Sequence, residues 1–134
     1  MLAPTVLYAH VTEALWRAGV VPHYCANVTG HGWRKLLRHP AAFSYHITRV
    51  PEVPPVLRFI QQHAGLDERQ AYGTFNMGAG FALFVAADEA ARTVRIAGQC
   101  GIGALLAGAV HEGPKQLTIE PLGLRFGADD LQLR

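Results

Sequence analysis

The chain has 134 residues, half of them hydrophobic and only 16% charged. That balance excludes a disordered segment and is enough for one domain with its own core. Twelve basic residues against ten acidic ones leave a net charge of +2, which gives no global pull toward nucleic acid or an anionic membrane surface. No run approaches the roughly 20 apolar residues of a membrane span, and the N-terminal residues lack the pattern of a secretory signal. The reading is a cytoplasmic protein with no membrane and no nucleic-acid partner. Cys25 and Cys100 sit among apolar neighbours and read as two reduced, buried thiols, with a single disulfide as the alternative.

Taken in chain order, Pro4, Leu7, Val11, Leu15 and Ala18 have helical spacing, with Glu13 and Arg17 paired at i, i+4 and Gly19 as the stop. Residues 20–28, rich in β-branched and aromatic side chains, predict a strand. Thr29 to Gly32 is a turn, followed by a short helix over Trp33 to Arg38 that ends before Pro40. Phe43 to Val50 predicts a strand, broken by Pro51, Pro54 and Pro55. Pro55 opens a helix with Val56, Leu57 and Ile60 that ends near Gly65. Asp67 is placed to cap a further helix over Glu68 to Tyr72.

A second glycine-rich turn, Thr74 to Gly80, leads into Phe81 to Val85, an apolar run expected to be a fully buried strand. Asp88 is expected to cap a helix reaching Gln99. Gly101, Ile102 and Gly103 lack the third glycine of a dinucleotide motif and read as a helix stop. Ala104 to Val110 and Gln116 to Glu120 predict strands joined as a hairpin through His111 to Pro114. Leu122 to Phe126 and Leu131 to Leu133 close the chain. The sum is an α+β domain over residues 1–134, a mixed sheet flanked by helices, with no internal linker.

Two glycine turns are the candidates for chemistry. In the first, Asn27, Val28, Thr29, Gly30, His31 and Gly32 lie between a strand and a helix, where backbone N–H groups and the positive end of the helix favour an anion. Arg34, Lys35 and Arg38 add positive charge nearby. The same residues also serve as a plain connection that needs glycine for its backbone angles. The second, Asn76, Met77, Gly78, Ala79 and Gly80, has a β-bulge or a close approach of two backbones as its plain reading. The seven histidines have no metal-type spacing with cysteine or carboxylate partners, so no metal site is assigned. No nucleophile motif is present, and no catalytic residue is assigned.

Both turns together resemble the C-terminal domain of phosphoribosylformylglycinamidine cyclo-ligase, also called AIR synthase. The resemblance opens at Pro4 to Tyr8. It passes through Ala26 to Trp33, similar to the family's His-(Ile/Leu)-Thr-Gly-Gly-Gly turn. It is strongest at Tyr72 to Phe81, similar to Tyr-x-Thr-Phe-Asn-x-Gly-x-Gly-Met, and ends at Ile119 to Gly123. It implies the family's sheet flanked by helices and a place in purine biosynthesis. It also implies an active site between two domains where Mg-ATP drives closure of the imidazole ring of a ribonucleotide. On that reading Asn27, Thr29, Gly30, His31, Gly32, Asn76, Gly78 and Gly80 form the ribonucleotide or phosphate side. No cofactor is expected on this domain alone, since the family's N-terminal domain carries most of the ATP and metal ligands. That domain, in cis or in trans, and a phosphorylated small molecule are the implied partners. An exposed apolar surface left for the other half predicts self-association into a homodimer. Asn27 stands where the family has His, and His31 where it has Gly. Both departures keep open a second reading, an orphan domain that binds an anionic nucleotide-like ligand or a protein and catalyses nothing.

Overall fold

The computed structural model describes residues 5–131. Pro4, at the start of the first expected helix, and residues 132 and 133 at the close of the chain lie outside the described residues. The chain packs as two compact units, one of Met1–Cys25 and Leu83–Leu106, the other of Ala26–Ala82 and Ala107–Arg134. Helices and mixed sheets make it an α+β protein, with no sheet closed into a barrel. Among the described residues, no helix is long and apolar enough to cross a membrane.

The first unit is built on two helices, α1 (Ala9–Arg17) and α4 (Ala90–Gln99). Val11 and Leu15 of α1 meet Ile96 and Ala97 of α4, with Val20 completing the buried cluster. Burying a side chain such as Leu15 stabilises by about 2 kcal/mol. Gly19, at φ 78°, ends α1, and the Val20 N–H returns to the Leu15 carbonyl at 2.9 Å. The Leu15 carbonyl, which also accepts the Ala18 N–H at 3.1 Å, is thereby tied to the chain just past the helix end. Gly101 does the same for α4, where the Ile102 N–H reaches the Ala97 carbonyl at 3.0 Å.

Two expectations for this unit are corrected. Leu7 is 74% exposed and precedes α1, which begins only at Ala9. Asp88 does not cap α4. It lies in a 3₁₀ turn, Ala87–Glu89, and Glu89 takes the cap position without a side-chain bond. The expected strand over residues 20–28 shrinks to β1 (Tyr24–Asn27), because Pro22 has no N–H to place in a ladder. β1 pairs with β3 (Phe81–Phe84) in a two-stranded sheet. All four β3 residues are half-buried, so the fully buried strand is not found.

The second unit centres on a four-stranded mixed sheet in the order β4-β2-β5-β6. Its strands are β2 (Phe43–Ile47), β4 (Gly108–Glu112), β5 (Gln116–Ile119) and β6 (Leu124–Gly127). β2 runs antiparallel to β4 and parallel to β5, and β5 runs antiparallel to β6. The period of two sends Tyr45, Ile47, Leu117, Ile119 and Phe126 into the core. Trp33, Leu36 and Leu37, on the 3₁₀ helix Gly32–Arg38, pack over β2 and β5 and against α3 (Glu68–Thr74). Asp67 caps α3 as expected. Its carboxylate accepts the Gln70 N–H at 2.7 Å, while Gln70 Oε1 accepts the Asp67 N–H at 3.0 Å. α2 (Pro55–His63) opens at Pro55, but Val56 and Phe59 are exposed and only Gln61 is buried.

The predicted hairpin between the strands after Ala104 is not formed. β4 starts at Gly108 rather than Ala104, and β2 lies between β4 and β5. The Gly113–Lys115 connection therefore steps over one strand and is held there by Ser44 Oγ, which donates to the Pro114 carbonyl at 2.9 Å. Strand β4 approaches β2 so closely that a Cβ on Gly108 would lie 1.9 Å from the His46 carbonyl oxygen. Gly103 has open space around the same position. Gly108→Ala is therefore expected to cost about 3 kcal/mol of stability. Gly103→Ala should change it by no more than about 0.5 kcal/mol. Denaturant unfolding of the two variants checks the contrast.

Candidate functional site

The first turn is closed by the Gly32 N–H, which donates to the Thr29 carbonyl at 2.9 Å. His31, at φ 76° and ψ 3°, has the angles of the third residue of a type II turn. A side chain in this left-handed region costs about 1 kcal/mol or more. Asn27, Thr29 and Gly30 are exposed, and His31 is half-buried. Gly32 is buried, and it is there for packing. A Cβ on it would lie 2.2 Å from the Tyr72 carbonyl oxygen and 2.7 Å from that of Phe75. The helix that follows is a seven-residue 3₁₀ segment, so its dipole is far smaller than that of a long α-helix.

The second turn runs from Asn76 to Ala79, with the Ala79 N–H on the Asn76 carbonyl at 2.9 Å. Met77 (φ 46°) and Gly78 (φ 98°) both have positive φ, as in a type I′ turn. Met77 tolerates this because its side chain is 0% exposed, and the burial outweighs the strain. Asn76 Oδ1 accepts the Gly78 N–H at 3.1 Å. Gly78 is also a packing glycine, since a Cβ there would lie 2.4 Å from the Glu52 carbonyl oxygen.

The structure brings the two turns together. Trp33 Nε1 donates to the Asn76 carbonyl at 2.8 Å, and the Val28 N–H donates to the Gly80 carbonyl at 2.9 Å. The Trp33 and Tyr72 rings meet at 5.5 Å. The nearby cations have separate roles. Lys35 Nζ donates to the Thr29 hydroxyl. Arg34 reaches the Gly73 and Asp130 carbonyls and, more weakly, the His31 carbonyl, and Arg38 is exposed. Among the described residues, no cluster of three or more His, Cys, Asp or Glu side chains is arranged to hold a metal ion. His46 pairs with Glu120 at 3.2 Å on the exposed surface.

No protein-family model matches the chain. Curated relatives do. The phosphoribosylformylglycinamidine cyclo-ligase of Methanococcus vannielii is 33% identical over 113 residues, 84% of this chain. The enzyme of that name from Methanocaldococcus jannaschii is 32% identical over 82% of the chain. That from Methanothermobacter thermautotrophicus is 35% identical over 73%. The chain is a homologue of one part of these cyclo-ligases. It spans about a third of their length, 32% in the first two and 29% in the third.

Against this cyclo-ligase relationship, two further features stand out. Cys25 is exposed rather than buried, and Cys100 is half-buried. Cys25 borders an open groove of about 460 Å³ with Trp16, Val21 and Pro22 in the first unit. Partial burial pushes its thiol up, away from the range of a reactive thiolate. The second feature is a set of residues that sequence reasoning missed, Arg69 and Asp130 together with the true role of Arg34. Asp130 Oδ1 accepts from Arg69 Nη2 at 2.8 Å, and Oδ2 accepts the Gly127 N–H at 2.7 Å. Burial raises the Asp130 carboxyl, but the Gly127 N–H and the Arg69 guanidinium outweigh it and hold it below its ordinary value of 3.8. No sequence signal joins Arg34 to Asp130, 96 positions away.

Two outcomes are expected. Gly32→Ala should destabilise by about 3 kcal/mol or more, because the obstacle is backbone, whereas Gly30→Ala, with open space, should change stability by about 0.5 kcal/mol or less. Tryptophan fluorescence during denaturant unfolding measures both. Asp130 has a depressed folded value, so its contribution is present above the ordinary carboxylate value and is lost as pH falls through the folded one. Asp130→Asn should therefore lower the melting temperature at neutral pH, with the gap to the wild type closing on the acid side. A pH series of thermal melts checks this.

Proposed function

We propose that this chain is the C-terminal domain of an ATP-dependent phosphoribosylformylglycinamidine cyclo-ligase, or of an AIR synthase-related protein, acting in purine biosynthesis in the cytoplasm. Its two glycine turns are the ribonucleotide or phosphate side of an active site that a second domain completes. The observation that carries this reading is 33% identity with the Methanococcus vannielii cyclo-ligase over 84% of this chain and only 32% of that enzyme. The remaining two-thirds of such a protein is where an ATP-binding domain belongs, in cis or in trans.

The roles of the residues follow from what each presents. Asn27, Thr29, Gly30 and His31 offer exposed polar atoms and backbone at one rim, with the Lys35 ammonium drawn to Thr29. Gly32 and Gly78 hold the rim in shape, and the Asn76 and Gly80 carbonyls anchor it. An Asn at position 27 donates and accepts hydrogen bonds but carries no proton to transfer at neutral pH. Among the described residues no group of three or more His, Cys, Asp or Glu side chains could hold a metal ion. The chain's part is to bind and orient. Trp16 (73% exposed) and Val21 in the first unit, and Phe59 (57% exposed) in the second, are the kind of apolar surface that a further domain or a second copy covers.

The departures at Asn27 and His31 favour a second reading, a non-catalytic orphan domain that keeps the fold and binds an anionic nucleotide-like ligand or a protein. Two measurements separate the readings. The chain alone should release no ADP from Mg-ATP and formylglycinamidine ribonucleotide, whereas adding the ATP-binding domain of a relative should produce ribonucleotide-dependent release. The ribonucleotide at about a hundred times its dissociation constant should stabilise the chain by about 2.7 kcal/mol, read as a thermal shift. Turnover by the chain alone would overturn the need for a second domain, and no reaction with the added domain would count against the cyclo-ligase reading. Light scattering tests the homodimer.

A further inference from the structure

Arg34 lies two residues past the end of the first turn, and its guanidinium serves three stretches of chain. Nε donates to the Gly73 carbonyl at 2.9 Å and, more weakly, to the His31 carbonyl at 3.4 Å. Nη1 donates to the Asp130 carbonyl at 2.8 Å. His31 is in the first turn, and Gly73 is in α3, which leads into the second. Asp130 is in the closing 3₁₀ turn, Ala128–Leu131. That turn is fastened in its own right. The Asp130 carboxylate joins Arg69 of α3 to the Gly127 N–H, and Arg69 lies 4.6 Å over the Phe126 ring and donates to the Arg125 carbonyl. Arg34, Arg69, Gly73, Phe126 and Asp130 border an open cavity of about 390 Å³.

We infer that Arg34 is a positioning residue of the two-turn site, and that the Ala128–Leu131 turn is the strap that keeps it in place. The inference rests on reading the turns as ligand-bearing. His31 occupies a backbone region that a side chain disfavours, so the turn needs restraint from outside itself. Arg34 supplies that restraint by linking the His31 and Gly73 carbonyls, and the strap fixes the far end of its guanidinium. A planar fork with five donors serves several carbonyls at once, which the single ammonium of Lys does not.

The test compares native-state amide exchange at Gly30 to Gly32 and Asn76 to Gly78 with exchange at Leu117 to Ile119 in β5, alongside an NMR titration with inorganic phosphate read at the Thr29 and Gly30 amides. Arg34→Met and Asp130→Ala should speed exchange in the two turns about tenfold and leave β5 unchanged. In Arg34→Met, phosphate affinity should fall about tenfold, and Arg34→Lys should restore neither property. If Arg34→Met does not fold, Asp130→Asn carries the same comparison, since it keeps an acceptor for Gly127 and loses the charge that holds Arg69. Wild-type phosphate binding that persists unchanged in the variants overturns the inference alone. Faster exchange spread equally over the turns and β5 overturns it too, because that is a general loss of stability. A wild type whose turn amides do not respond to phosphate overturns both the inference and the ligand reading it rests on.

Discussion

The two turns of the second unit each depend on a place where backbone packs directly on backbone. Gly32 lies against the carbonyls of Tyr72 and Phe75, and Gly78 against that of Glu52. No side chain fits at either contact, and both glycines have positive φ. The approach at Gly32 brings the 3₁₀ helix against α3, so that Trp33 can donate to the Asn76 carbonyl. The approach at Gly78 seats the second turn on the segment before α2. Both glycine turns are thereby packed directly on neighbouring backbone.

That packing bears on function. Among the described residues, two non-glycine residues, His31 and Met77, occupy the left-handed region, one in each turn. Met77 is held by complete burial, whereas His31 is only half-buried and has the Arg34 guanidinium at its carbonyl. A strained residue persists where its surroundings over-determine it, and such residues gather at sites that bind or switch. The exposed rim of Asn27, Thr29 and Gly30 is thus carried on a scaffold whose hidden side is fixed by glycine contacts, the Trp33 bond and the Arg34 network. The chain spans about a third of the length of its cyclo-ligase homologues, and the proposal that this rim is one side of a two-domain site rests on that partial match.

Some features were legible in the sequence because their physics is local. Gly19 and Gly101 mark helix ends, Asp67 with Gln70 makes a capping box, and Pro55 opens α2. The α+β class follows from the alternating and helical hydrophobic periods, and the cyclo-ligase relationship from the motif at Tyr72 to Phe81. Both turns were placed in sequence, because glycine and asparagine clusters between periodic segments have few other uses.

What tertiary structure alone decided is non-local. The insertion of β2 between β4 and β5 replaces a hairpin that the spacing favoured, because strand order depends on which edges meet and not on chain proximity. The two units interleave along the chain, so no linker marks their boundary. Sequence supplied the glycines at 32 and 78, but only packing showed that one meets Tyr72 and the other Glu52. Arg34 reads as surface charge beside a turn, and it becomes a bridge only when folding brings Gly73 and Asp130 within reach of one guanidinium. A residue's type and its near neighbours fix what it is able to do locally, while its distant partners are set by the closed chain, where hydrogen bonds and excluded volume act at contact distance.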